Sequence, residues 1–141
     1  MADSLTFTND CFMYCTGTTA STNPNTKYDI LTANASDRRV YGISVVSTDN
    51  AAQTVKLYLT SATTSVAYQM CTVNVPANSG NNALAKDVFA DTQCESIFGK
   101  TREKNGRPYF TIPSNFKIQM DFGSPLGTGE IIYTHIFGEN Y

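Results

Sequence analysis

The stretch VYGISVVSTDNAAQTVKLYLTS, residues 40–61, contains two apolar runs joined by a short polar link. Apolar and polar residues alternate in both runs, which places successive side chains on opposite faces of a strand. The link includes Asp49 and Asn50, whose side chains bond to their own backbone and tolerate turn dihedrals. The stretch therefore predicts a β-hairpin in an antiparallel sheet that has one face in the core and one in solvent.

Alternation marks further strands on both sides of this stretch. One begins near Lys27, and another runs from Val66 to Val75 and changes phase midway. Either a bulge near Met70-Cys71 or burial of both faces would reconcile its two halves. Residues 116–122 alternate cleanly, whereas residues 130–137 are apolar on both faces, which predicts a position between two layers or at a subunit interface. Because one-faced sheets must bury their apolar faces on each other, the pattern predicts an all-β antiparallel β-sandwich, for which a jelly roll is one topology.

Residues 83–98 form the one helix candidate of the chain. Good helix formers stand at its start, and a glycine follows it. On such a helix Asp87, Asp91 and Glu95 would line one face, where they could hold a hard cation, act as paired carboxylates, or simply be solvated. The solvated face is the reading that the sequence favours, because acidic residues near a helix start interact well with its dipole.

Residues 1–25 look like an extended N-terminal arm, and residues 26–141 look like one β-sandwich domain. Residues 16–25 carry no periodic signal. We expect the arm to dock on this domain, on a sister subunit or on another protein, and its apolar anchors are the candidate partner-binding residues. These anchors are Leu5, Phe7, Phe12 and Tyr14.

Composition and the N-terminal sequence restrict the partners of the protein. Charged residues make up 16% of the 141 residues and the net charge is −2, which argues against nucleic-acid binding. The start lacks the basic and apolar regions of a signal peptide, and no run reaches the roughly 18 apolar residues of a membrane span. We therefore expect synthesis in a cytoplasm and reduced thiols at all four cysteines. These are Cys11, Cys15, Cys71 and Cys94.

The sequence offers little support for catalysis. His135 is the one histidine, and it shares a strand face with aromatic residues, which favours a packed, hydrogen-bonded side chain over a ligand. A catalytic triad would need it, yet the chain has no G-x-S-x-G elbow. A cysteine–histidine pair is conceivable, but nothing in the sequence brings a cysteine to it. The spacing from Cys11 to Cys15 is not that of a zinc ribbon, and no glycine-rich phosphate loop is present. We expect no enzyme activity, no catalytic residue, no cofactor and no metal site.

Four segments of the chain, in this order, resemble a small family of structural proteins from tailed bacteriophages, over roughly residues 28–141. The segments are Ser47-Thr48-Asp49-x-Ala51-Ala52-x-Thr54-Val55-x-Leu57-Tyr58-Leu59-Thr60, Val73-x-Val75-Pro76-Ala77-Asn78-x-Gly80, Asn105-Gly106-x-Pro108-Tyr109 and Phe137-Gly138-Glu139-x-Tyr141. The resemblance implies a capsid decoration, or cement, protein that binds the major capsid protein on the outside of the virion as a homotrimer. Another virion component, such as a tail, adaptor or glycan-binding host-attachment module, is the alternative. An enzyme or metalloprotein that uses the acidic row or His135 is a third reading.

Overall fold

The computed structural model describes residues 11–19, 22–80, 83–98 and 101–140. Within these ranges the regular secondary structure is almost entirely β, in two antiparallel sheets, so the predicted all-β sandwich is confirmed. The elements are β1 (Cys11–Thr19), β2 (Tyr28–Leu31), β3 (Arg38–Ser47), β4 (Gln53–Ser61), β5 (Ala67–Val75), β6 (Lys86–Asp87), α1 (Glu95–Phe98), β7 (Phe110–Ile112), β8 (Phe116–Phe122) and β9 (Ile131–Asn140).

Sheet A has the strand order β1-β9-β3-β6, with β7 also paired to β3, and sheet B has the order β2-β8-β4-β5. The inner faces of the two sheets are apolar, so they pack together with alternate residues in the core. Ile43 and Ile136 of sheet A and Leu57 and Met120 of sheet B are fully buried there. The residues that point away from this core form the two outer faces of the sandwich.

The predicted hairpin of residues 40–61 is wrong in its pairing, although both of its strands are present. β3 lies in sheet A and β4 in sheet B, so the polar link between them carries the chain from one sheet to the other. The link is anchored inside the fold, because buried Asp49 accepts a hydrogen bond from Gln53 Nε2 at 2.8 Å and its carbonyl accepts one from the Asn78 N–H. Alternation predicts that each strand buries one face, but it does not say in which sheet the strand lies. In a sandwich two consecutive strands bury these faces equally well in the same sheet or in opposite sheets.

Of the two predicted explanations for the phase change in residues 66–75, the structure confirms the bulge. Leu57 pairs with Cys71 and the next residue, Tyr58, pairs with Gln69, so Met70 is the extra residue of β5. The additional residue reverses which side chains face the core, and this explains the change of phase in the sequence.

The helix predicted for residues 83–98 is wrong over most of its length, since only Glu95–Phe98 is helical. Asp87 lies in β6, where its side chain accepts the Phe89 N–H at 3.0 Å. The Asp91 side chain accepts the Gln93 N–H at 2.8 Å. Such local bonds give the backbone an alternative to the helix. Val88 then donates its N–H to Ile43 O at 2.9 Å and is buried, which ties the segment to β3.

The expectation of four reduced cysteines is also wrong. Cys71 of β5 and Cys94, which precedes α1, are buried and form a disulfide with their Cα atoms 5.4 Å apart. The bond links sheet B to the segment that follows β6 of sheet A. Cys11 and Cys15 are free and exposed. The sequence could not identify the pair, because four cysteines allow three connectivities and the proximity arises only from the sandwich.

Candidate functional site

The outer face of sheet A carries exposed apolar side chains in its central and edge strands. β1 is the edge strand and pairs with β9 along its whole length, in a register that sets Met13 opposite Phe137 and Gly17 opposite Tyr133. Met13 is 69% exposed, Tyr133 39% and Phe137 38%. Because Ile132 and Ile136 of β9 are fully buried, the odd-numbered residues of this strand are the ones on the outer face.

Cys15 and His135 lie side by side between these apolar residues. They are directly opposite each other in the β1–β9 register, and Cys15 Sγ is 3.1 Å from His135 Nδ1. The thiol donates to Nδ1 when the ring proton is on Nε2. His135 is therefore hydrogen-bonded, and its partner is a cysteine that lies 120 residues away in the sequence. The pairing depends on strand register, which no local sequence signal could have supplied.

A groove of about 400 Å³ opens on the same face, beside His135. Gly42 and Ser44 of β3 line the groove, and Ser44 is the pairing partner of His135. The aromatic rings of Phe137 and Phe89 also line it, and Asp87 is among its polar lining residues. The remaining lining residues are Tyr41, Ile43, Ala85 and Pro108.

Gly42 is required for the shape of this groove. A Cβ added there would lie 2.2 Å from Cε1 of Phe137 and 2.4 Å from its Cζ, far inside van der Waals contact. The missing side chain therefore lets the Phe137 ring lie across β3 instead of standing away from the sheet.

Tyr41, at the end of the groove, joins two carboxylates. Its hydroxyl is 2.7 Å from Glu103 Oε1 and 2.6 Å from Glu139 Oε1, and since a phenol has one proton it donates to one of them at a time. Burial, followed by the hydrogen bonds to Glu139 and Glu103, raises the pKa of Tyr41. Arg39 bonds Glu103 at 3.3 Å, and the Arg107 guanidinium lies 3.9 Å from the centre of the Tyr41 ring. The cluster fixes the loop around residue 105 onto sheet A.

The three acidic residues predicted to share a helix face do not form one site. Asp87 lines the groove, Asp91 directly precedes the turn of residues 92–94, and Glu95 begins α1. Burial raises the pKa of Asp91, but a 2.7 Å bond from Lys86 Nζ and the Gln93 N–H outweigh it, so this pKa lies below its usual value. Across the part of the chain that the structure describes, no three His, Cys, Asp or Glu side chains are grouped to hold a metal ion.

The predicted partner-binding residues of the arm fall into two groups. Leu5 and Phe7 lie outside the described residues, whereas Phe12 and Tyr14 belong to β1. Phe12 is half-buried and packs against the core, with its ring centre 5.6 Å from that of Tyr14, which is more exposed. Residues 11–19 of the predicted arm are thus part of sheet A.

Comparison with known proteins gives no assignment. No family model and no curated protein matches the chain. Among solved structures, it is similar to a chain of Clostridium thermocellum, the N-terminal endo-1,4-beta-D-xylanase 10B with its CBM22-1 and GH10 modules, complexed with xylohexaose. The identity is 10% and the TM-score 0.41, over 94% of this chain and 26% of that chain, so the present chain spans about a quarter of it. None of the described helical residues form a segment long and apolar enough to cross a membrane.

Proposed function

We propose that the protein is a non-enzymatic capsid decoration protein of a tailed bacteriophage, and that it binds the major capsid protein through the outer face of sheet A. The observation that carries the proposal is the exposure of Met13, Tyr133 and Phe137 on adjacent strands of one face. Contiguous apolar side chains on a protein surface are typical of a binding site, and Met, Tyr and Phe are enriched in protein interfaces. The sequence resemblance supplies the class of partner.

The segments that carry the resemblance support a scaffold role, since they meet at opposite ends of β3. At one end the Ser47 N–H donates to Ser79 Oγ at 2.9 Å, which joins the first and second segments. At the other end Tyr41 connects Glu103, beside the third segment, to Glu139 of the fourth. These contacts hold the loops that border the outer face of sheet A, as a rigid docking surface requires.

Several copies of such a face would act together in a homotrimer. Once one copy is bound, the others bind at high effective concentration, so weak single contacts can hold firmly on a repeating shell. Light scattering on the purified protein measures its mass in solution and hence its oligomeric state, and we expect the mass of three chains. A monomer that also ignores capsids would remove the proposal.

The decisive experiment mixes the protein with expanded capsids that lack it. We expect saturable binding, and we expect Met13→Glu to weaken it by about tenfold or more, because a charge would enter a desolvated contact. Tyr68→Glu is the matched control, since Tyr68 is 56% exposed but lies on β5 of sheet B, and it should bind within about twofold of the natural chain. Equal loss in both variants, or no binding by the natural chain, would contradict the proposed face.

The groove favours a second candidate, a glycan-binding host-attachment module of the virion. Its aromatic sides with one carboxylate at Asp87 match the usual chemistry of small-ligand sites, which are mostly apolar with a few polar groups. Titration of the protein with soluble oligosaccharides, followed by NMR, tests this reading. Shifts that require Phe89 and Asp87, in a protein that does not bind capsids, would replace the first candidate by the second.

A further inference from the structure

The free cysteines of the protein differ in their surroundings. Cys15 and Cys11 are both exposed on the outer face of β1, four residues apart. Cys15 lies opposite His135, and its thiol is hydrogen-bonded to His135 Nδ1, whereas Cys11 lies opposite Glu139. Among the described cysteines, Cys15 is the one that combines an accessible thiol with a base within hydrogen-bond distance.

This geometry is that of an activated nucleophile. A cysteine is a strong nucleophile as its thiolate, and an adjacent imidazole can take the proton when the thiol attacks. The 3.1 Å separation lies within the reach of a proton transfer. Paired backbone positions in β1 and β9 hold both side chains on the same face, so the contact does not depend on a loop.

We propose that Cys15 is a reactive thiol, with His135 as its base, which exchanges with disulfides and becomes modified at the surface of sheet A. The Cys15 sulfur attacks one sulfur of a disulfide, a new S–S bond forms, and the old S–S bond breaks. His135 accepts the thiol proton and returns it to the departing thiolate. The products are a mixed disulfide at Cys15 and one free thiol, so the disulfide substrate supplies the oxidising equivalent and no other reagent is needed.

The surroundings favour disulfides with an apolar or aromatic group. Met13 and Phe137 form the next cross-strand pair on the same face, and Ser44, the pairing partner of His135, lines the groove together with Phe89 and Phe137. An aromatic group joined to the attacked sulfur can pack against these side chains. The reactivity of this thiol is a property of the isolated chain and does not depend on capsid binding.

The test measures the rate of each thiol separately with dipyridyl disulfide, whose released thiopyridone absorbs light. Cys11→Ser leaves Cys15 as the exposed thiol, and Cys15→Ser leaves Cys11. The probe is uncharged, so that Glu139 beside Cys11 does not repel it. We expect Cys15 to react about tenfold faster than Cys11, a modest share of the effect that a positioned base can give.

His135→Gln, made in the Cys11→Ser chain, separates a base from a hydrogen-bond partner. Glutamine can still accept a bond from the thiol but cannot take its proton at neutral pH. We expect the rate of Cys15 to fall by about tenfold, towards that of Cys11, with an unchanged circular dichroism spectrum. Equal rates at the two cysteines, or a Cys15 rate that survives His135→Gln, would overturn the proposal. Peptide mass mapping of the modified natural chain must also place the adduct on Cys15 before Cys11.

Discussion

The two outer faces of the sandwich cover the same core but are built differently. The outer face of sheet B is closed by polar pairs between its own strands: Tyr58 donates to Asp121 at 2.8 Å, Thr60 donates to Gln119 at 2.8 Å, and Lys117 bonds Asp29 at 2.9 Å. The outer face of sheet A instead presents a thioether, two thiols and two aromatic rings. The inner faces of both sheets are buried to a similar extent, so the two sheets differ in the side chains of their outer faces.

The contrast supports the choice of sheet A for the proposed docking surface. The cross-strand pairs satisfy the hydrogen-bonding groups of these sheet B side chains within the chain, and the polar outer face of the sheet is compatible with solvent. The apolar side chains on sheet A gain nothing from water, and covering them would contribute about 25 cal/mol for each Å² removed from solvent.

Removal of the Cys71–Cys94 disulfide should have the largest effect on stability. The bond closes a separation of 23 residues between sheet B and the segment after β6, and chain entropy assigns about 3 kcal/mol to such a loop. We expect the Cys71→Ala, Cys94→Ala double variant to lose about this free energy of unfolding, measured by urea denaturation.

The matched control is the Cys11→Ser, Cys15→Ser double variant, in which both changed residues are exposed. It should unfold within about 0.5 kcal/mol of the natural chain. If reductant leaves the urea midpoint of the natural chain unchanged, the two sheets are not held together by this bond, and the packed inner faces alone account for the stability.

Gly42→Ala should have the next largest effect and should act on the face of sheet A. The added Cβ would lie 2.2 Å from the Phe137 ring, so the ring must rotate off the sheet. We expect a loss of about 2 kcal/mol, within the usual range for overpacking. Gly17→Ala is the control on β1, which lies on the other side of β9, because its Cβ would meet nothing nearer than 3.5 Å.

A double-mutant cycle identifies the cause of that loss. If the clash with Phe137 is responsible, Gly42→Ala should cost much less in a Phe137→Ala background, and the two changes should be non-additive by about 1 kcal/mol or more. Additive losses would show that the backbone at residue 42, and not the ring, requires glycine.

These contacts mark the limit of what the sequence could predict. Alternation located the strands, and the phase change in residues 66–75 located the bulge at Met70, because both are properties of neighbouring residues. Whether β3 pairs with β4 is a property of the whole sandwich, and the pattern wrongly predicted a hairpin. The Cys15–His135 contact has the same origin, since the register of β1 on β9 joins residues that lie 120 positions apart. The prediction that Asp87, Asp91 and Glu95 share a helix face was wrong for a local reason. The two aspartate side chains accept hydrogen bonds from nearby backbone N–H groups, which favours turns over a helix.

The hydrogen bond between Tyr58 and Asp121 on sheet B should make the stability of the protein depend on pH in the alkaline range. Burial, followed by the hydrogen bond to Asp121 and its charge, raises the pKa of Tyr58 from 10.0 to about 12. The folded state thus holds this proton more tightly than the unfolded state, so the stabilisation is complete below pH 10 and is lost as the pH rises through about 12. We expect the unfolding free energy to decline across this window, and to decline less steeply in Tyr58→Phe. Asp121→Asn should move the upper limit of the window to lower pH, since it removes the charge next to the phenol. A Tyr58→Phe profile that superimposes on the natural one would contradict this account.

The smallest effect is expected for the ion pair between Lys117 and Asp29 on the same face. Their charged atoms are 2.9 Å apart, but the two side chains are partly exposed, and water and salt screen such pairs. We expect Lys117→Met to change the unfolding free energy by less than about 0.5 kcal/mol, because exposed ion pairs typically contribute between zero and 1 kcal/mol. Urea denaturation at low and high salt measures this change. A loss above 1 kcal/mol that disappears in high salt would mean that the charged side chains of sheet B stabilise it as a coupled network and not as separate pairs. The outer faces of sheets A and B would then be more alike in cooperativity than the separate polar pairs of sheet B suggest.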